Sequence, residues 1–113
     1  MKIFNFFINW LVGFLILCVS WSALAGTSEG LVTDILVGGD PPFFFSAGPH
    51  LSKPACSTQG DHWAISLAWP AGKSIQATIL TAYASNKKIH VIGKGVCDVW
   101  SDRETVNYIY TVQ

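Results

Sequence analysis

Apolar positions recur at helical spacing along one stretch of the chain and alternate with polar ones in the stretches around it. Ile75, Ile79, Ala82 and Tyr83 form a helical stripe that Leu80 widens, while Gln76, Thr78, Thr81 and Ser85 fall mostly elsewhere. Gly72 breaks the preceding segment, and Ser74 is placed to cap the first turn. Asn86 suits a left-handed residue just past the last turn, and Lys87 and Lys88 complement the negative end of the helix dipole. The pattern predicts about three helical turns with one face buried on a sheet.

Five strands are predicted around this helix. Residues 31–37 (LVTDILV) place Leu31, Thr33, Ile35 and Val37 on one face and Val32, Asp34 and Leu36 on the other. Residues 38–42 (GGDPP) stop that strand. Phe43, Phe44 and Phe45 make a second short strand, or continue a bent first one, with a ring on each face. Residues 46–54 read as loop. Residues 62–68 (HWAISLA) alternate, with Trp63, Ile65 and Leu67 inward. After the helix, Ile89, Val91, Gly93, Gly95 and Cys97 share one face of a strand and His90, Ile92, Lys94 and Val96 the other. Two glycines on one strand face mark a bend or a close approach, here room for the helix or a sharply coiled strand. Residues 98–104 form a turn with Trp100 at its tip. In the last strand Val106, Tyr108, Tyr110 and Val112 share a face, opposite Asn107, Ile109 and Thr111. The order is strand, strand, strand, helix, strand, strand. It predicts a mainly β (α+β) domain, a five-stranded OB-fold-like barrel with one helix between strands 3 and 4. A generic α+β sheet with one helix packed across it is the alternative.

The first residues carry a different signal. Met1 and Lys2 precede an apolar run, residues 3–17, interrupted by Asn5, Asn9 and Gly13. Ala23-Leu24-Ala25 then offers small residues at the two positions a leader peptidase reads, so residues 1–25 are predicted to be a signal peptide cut before Gly26. An uncleaved anchor is the competing reading, because the run approaches the ~20 residues that span a bilayer. Leu17 before Cys18 argues against a lipoprotein. The expectation is a single domain, residues 26–113, exported to the periplasm or secreted, with no membrane association after cleavage. Cys56 and Cys97 remain in it, and an even count in an exported chain predicts a disulfide. Closing a loop of about 40 residues is worth roughly 4 kcal/mol in the chain-entropy model.

Charge and chemistry narrow the function classes. Beyond the leader, six basic side chains face seven acidic ones with no basic cluster, so nucleic acid is not an expected partner. His50, His62 and His90 show neither i, i+4 spacing nor a metal pattern, and each reads as a surface or turn residue. No metal and no cofactor are predicted. A G-x-S-x-G elbow and phosphate-binding glycine loops are missing, which leaves a small hydrolase using His62 or His90 as the catalytic alternative. Trp63 reads as core. The chain holds more aromatic residues than so small a core takes, so Trp69, Trp100, Tyr108, Tyr110 and Phe44 are expected in binding or oligomer contacts.

Ala55-Cys56, a polar turn, Trp63, an Ala-containing helix and the strand Lys87-Lys88-Ile89-His90-Val91-Ile92-Gly93 closing on Cys97 are similar to small exported bacterial proteins of unknown role. The layout also resembles the B subunits of AB5 toxins of the subtilase-cytotoxin and pertussis-like type. That resemblance implies a secreted OB-fold with an internal disulfide that assembles into rings and binds cell-surface glycans. It covers about two thirds of residues 26–113 and carries over no sugar-pocket residue. The expected function is an exported, non-enzymatic binding module for a glycan or an exported protein, with homo-oligomerisation. A structural or inhibitory partner of a larger exported protein is the alternative.

Overall fold

The computed structural model describes residues 24–38 and 42–113. Most of the predicted leader and the centre of the first predicted turn lie outside the described residues. The elements come in the predicted order: β1 (Thr27–Val37), β2 (Pro42–Ala47), β3 (Trp63–Ser66), α1 (Pro70–Ser85), β4 (Lys88–Gly93) and β5 (Glu104–Thr111). Among the described residues the fold is mainly β, with five strands in a sheet and one helix. β1 pairs with β2 and β2 with β3, both antiparallel. β3 runs parallel to β5, β5 antiparallel to β4, and β4 antiparallel to β1, so the strand order returns to its start. The parallel β3–β5 seam is short, with Trp63 opposite Glu104 and Ala64 opposite Thr105.

Two bulges change which side chains face inward. Between Val32 and Ile35, β1 advances three residues while β2 advances two, from Ala47 to Phe45. Val32 is therefore buried and Leu31 exposed, and Ile35 turns toward the core after the bulge. On β5, Tyr108 pairs with Ile92 but Val106 pairs with Gly93, leaving Asn107 as the extra residue. Val106 is fully buried, whereas Tyr108 and Tyr110 lie outward with Ile109 packed against the core. Uninterrupted alternation had put Val106, Tyr108 and Tyr110 on one face. β2 follows its pattern, with Phe43 and Phe45 buried and Phe44 on the other side, but it extends through Ser46 and Ala47, which had read as loop. β3 stops at Ser66 and buries Ala64 as well as Trp63 and Ile65.

The helix starts earlier than its apolar stripe. Trp69 is the N-cap without a side-chain cap bond, and Pro70 occupies the first turn, where its missing N–H costs nothing. Ser74 is inside the helix, its carbonyl accepting from Thr78 Oγ1 at 3.0 Å. Gly72 is buried, and a Cβ there would run into the Ser66 carbonyl. The C-terminus closes as expected: Asn86 is left-handed at φ 60°. Its N–H donates to the Tyr83 carbonyl and the Lys87 N–H to the Ala82 carbonyl, a Schellman arrangement. Ile79 and Ala82 are buried and Ile75 packs beside them, while Leu80 and Tyr83, expected on the buried stripe, are exposed.

The β3–β5 seam is built around a buried polar cluster. Glu104 is fully buried and accepts three hydrogen bonds: from Gly26 N–H at 3.0 Å, Gly95 N–H at 2.9 Å and His50 Nε2 at 2.8 Å. The His50 ring stacks on Trp63 at 3.7 Å between centroids, and Trp63 Nε1–H donates to Ser28 Oγ at 2.9 Å. His50 was expected at the surface; it is 6% exposed, held in the interior by this stacking and by the carboxylate. Its Nε2–H points at Glu104, which leaves Nδ1 as the unprotonated nitrogen of a neutral ring, buried without a partner. Glu104, read as part of a turn, is instead the first residue of β5. The strand containing Gly93 ends there, and Gly95 sits in a turn at φ +77°. Gly93 is small for a reason other than the helix: a Cβ would overlap the Glu104 carboxylate and the Trp63 ring.

Cys56 and Cys97 form the predicted disulfide, with Cα atoms 6.2 Å apart. It ties together the loops on either side of the cluster. Ser57 Oγ accepts from Glu104 N–H at 3.3 Å, and Asp98 N–H donates to Thr105 Oγ1 at 3.3 Å. Replacing Cys56 and Cys97 together by Ser is expected to lower stability in urea by about 3–4 kcal/mol. A loss under ~1 kcal/mol would mean that the loops are held without it. Burial pushes the His50 pKa below 6.5, outweighing the opposing pull of Glu104. The unfolded chain then binds the extra proton first as pH falls, so stability is present above about pH 6.5 and is lost on acidification toward the depressed value. The thermal midpoint is expected to fall between pH 6.5 and 5, and less steeply in His50→Gln. Equal slopes in the two proteins would contradict the assignment.

Candidate functional site

The bulge in β1 also opens a cleft on the outer side of the sheet. It leaves Thr33 and Asp34 exposed, beside Ser46 of β2 and His62, which precedes the inward Trp63. These four side chains, with Gln59 and Asp61 from the loop entering β3, line an open cleft of about 780 Å³ that also reaches Leu31 and Lys88. A second depression of about 640 Å³ shares Thr33, Asp34 and His62 and is otherwise apolar, formed by Ile35, Leu36, Leu80 and Tyr83. The exposed side of α1 thus supplies one wall. Asp34 and His62 stand where a polar and an apolar half meet.

Hydrogen bonds fix the polar half. Ser46 Oγ–H donates to Asp34 Oδ2 at 3.0 Å and, with its proton so engaged, accepts from Thr33 Oγ1 at 3.0 Å. His62 Nε2 lies 3.6 Å from the same Asp34 oxygen. Arg103 Nε–H donates to His62 Nδ1 at 3.4 Å, which assigns the proton of the neutral ring to Nε2, facing Asp34. Arg103 also donates to Asp102 Oδ1 at 2.6 Å and lies 4.3 Å over the Phe44 ring. Asp61 Oδ1 accepts from His50 N–H at 3.0 Å, connecting the cleft loop to the buried cluster.

Chemically this arrangement is a set of anchored acceptors and hydroxyls. The Ser46 proton goes to a carboxylate, and the free lone pair of His62 is taken by Arg103. The cleft therefore does not assemble the hydroxyl–imidazole pair that nucleophilic hydrolysis uses. His90 lies elsewhere, on the outer side of β4, with Nδ1 3.3 Å from Glu29 Oε1 and its ring stacked on Tyr110 at 4.9 Å. The buried His50–Glu104 pair has no exposed side-chain surface, so no substrate reaches it. Among the described residues no group of His, Cys, Asp and Glu could hold a metal ion, and no helix is long and apolar enough to cross a membrane.

The predicted contact residues fall in three places. Phe44 and Trp100 meet edge to face at 5.6 Å beside Arg103, next to the cleft. Tyr108 and Tyr110, each about half exposed, lie on the outer face of β5, opposite Ile92 and His90 of β4. Trp69 is half-buried at the helix start with Lys94 Nζ 3.8 Å over its ring. Cys56 and Cys97 are in the disulfide. Sequence reasoning did not single out Thr33, Asp34 or Ser46. The available hint was Asp34, a carboxylate in an otherwise apolar strand, and a bulge invisible to residue alternation decides where it points.

No protein-family model matches the chain, no curated protein matches it in sequence, and no solved structure matches it. Asp34 is largely exposed, and its partners Ser46 and Thr33 retain each other without it. Asp34→Ala is expected to change stability by less than about 1 kcal/mol in urea. A larger loss would make the network a structural support of the β1–β2 pair.

Proposed function

We propose that the protein is an exported, non-enzymatic binding module that takes a glycan in the cleft around Asp34 and His62. The observation that carries this reading is the chemical division of the cleft. A sugar ring has hydroxyl edges and apolar C–H faces. Asp34, Asp61 and Gln59 supply acceptors and donors for the edges, while Leu36, Leu80 and Tyr83 supply a wall for a face. The returning strand order, the parallel β3–β5 pair and the helix between β3 and β4 support an OB-fold-like barrel, whose strand 2–3 side is a common ligand surface. The disulfide and the Ala23-Leu24-Ala25 signal support export.

A second reading, a partner protein or another copy of the chain, is favoured by the outer face of β4 and β5. There Tyr108 stands opposite the half-buried Ile92, and Tyr110 opposite His90, leaving two half-exposed aromatic rings on adjacent rows. The exported protein, screened on a broad glycan array, is expected to bind at least one glycan class. Asp34→Ala should weaken that binding at least tenfold without altering the thermal midpoint. Binding to no glycan, or binding unchanged in Asp34→Ala, would overturn the glycan reading. Co-purification of one exported protein, lost in Tyr108→Ala with Tyr110→Ala, would favour the second.

A further inference from the structure

The buried cluster contains an unbalanced charge. Glu104 accepts from two backbone amides and one imidazole, the pattern of an acceptor-only carboxylate. Among the described residues its ion-pairing partner is His50 alone, and burial keeps that ring neutral near pH 7. A fully buried carboxylate without a cation is costly, and removing it from water is compensated best by a full positive charge at hydrogen-bond distance.

One donor to Glu104 can acquire that charge. Gly26 N lies 3.0 Å from Oε2, and Gly26 is the residue that follows the Ala23-Leu24-Ala25 signal. Gly26 is buried while Leu24 and Ala25 are exposed, so the chain leaves the cluster for solvent between residues 25 and 26. The site also fits glycine closely. A Cβ on Gly26 would overlap Glu104 Oε1 and approach His50 Nε2 to 2.7 Å. The Gly26 carbonyl is held by Gly93 N–H at 2.9 Å, which fixes the direction of the nitrogen.

We propose that hydrolysis of the Ala25–Gly26 peptide bond by a leader peptidase of the exporting cell creates an α-ammonium group that docks on the buried Glu104 carboxylate and ties the start of β1 to the start of β5. The step consumes one water: Ala25 leaves with a carboxylate, and Gly26 keeps the nitrogen, protonated. The hydrogen bond to Glu104, charged so far at its acceptor alone, gains a charged donor and becomes an ion pair. The register is specific. Cleavage one residue earlier would move the nitrogen about 3.8 Å along the chain to an exposed residue. Cleavage one residue later would remove both the donor to Glu104 and the acceptor for Gly93. The leader therefore leaves the domain in a less stable form than the processed one, and processing completes the fold independently of what the cleft binds.

The test begins with the full chain, exported through a Sec-competent bacterium and recovered after processing. Intact mass and N-terminal sequencing are expected to place the new terminus at Gly26. The α-amine of native protein, treated with an amine acylating reagent near pH 7, should react at least tenfold more slowly than in denaturant. Burial of Gly26 opposes the charge and the Glu104 carboxylate favours it; docking as an ammonium holds the proton affinity of the amine above its ordinary value near 8. The groups facing it are Glu104 and His50, with Lys53 and Asp61 acting on His50 from outside. The stabilisation is therefore present below about pH 8 and lost as pH rises through the raised value. The thermal midpoint should fall on that alkaline limb, and the fall should shrink in Glu104→Gln, which keeps the shape and removes the charge. A terminus at any other residue, or an α-amine equally reactive in native and unfolded protein, would overturn the proposal even if Glu104→Gln does not fold.

Discussion

A carboxylate with no route to solvent organises this molecule. Glu104 begins β5, and its side chain gathers backbone donors from two other segments, Gly26 ahead of β1 and Gly95 beyond β4. Burying such a group is unfavourable unless its lone pairs are satisfied, so the segments that supply the donors have little freedom to be elsewhere. The neighbours obey the same constraint. Gly93 is small because the carboxylate fills its side-chain space, and His50 is drawn between Glu104 and the Trp63 face.

The β3–β5 seam and the disulfide lie around that centre. The β3–β5 seam pairs few residues, and in the parallel arrangement, which is slightly less stable per residue. Trp63 and Glu104 stand opposite each other at that seam, and His50 links them by stacking on the Trp63 ring and bonding the Glu104 carboxylate, which adds to the short ladder. The Cys56–Cys97 bridge lies one step outside, between the loop that offers Ser57 to the Glu104 amide and the loop that carries Asp98 to Thr105. The candidate cleft is coupled to the same centre through Asp61, which accepts from the His50 amide while lining the cleft. A rigid interior thus sets the position of a polar surface site.

Element order, the cysteine pair, the Asn86 helix end and the Trp63 core position were legible in the sequence because each depends on local pattern or simple pairing. Faces were legible only until a bulge intervened. The extra residues near Thr33 and at Asn107 reverse alternation, so Leu31 and the two tyrosines turn outward although their spacing with neighbours is regular. The helix start was hidden because Pro70 and Gly72 are poor helix residues in an average context, yet a first-turn proline and a tight approach to Ser66 suit them here. The buried cluster was not legible at all. Its members, Gly26, His50 and Glu104, are separated by long stretches of chain, and each alone reads as loop or surface. The cleft residues share that difficulty, since Asp34, Ser46 and His62 meet only through strand register.

The most direct test of the central role of Glu104 is native-state hydrogen exchange at the Gly95 amide. Gly95 lies in a turn outside the strands, so ordinary loop behaviour would expose its N–H to solvent through small local openings. If the buried carboxylate holds the seam together, that amide exchanges only through global unfolding, with the same opening free energy as Val91 in the core of β4. Exchange at the rate of the surrounding loop residues would show that the carboxylate does not hold the seam, and would contradict the role assigned to it.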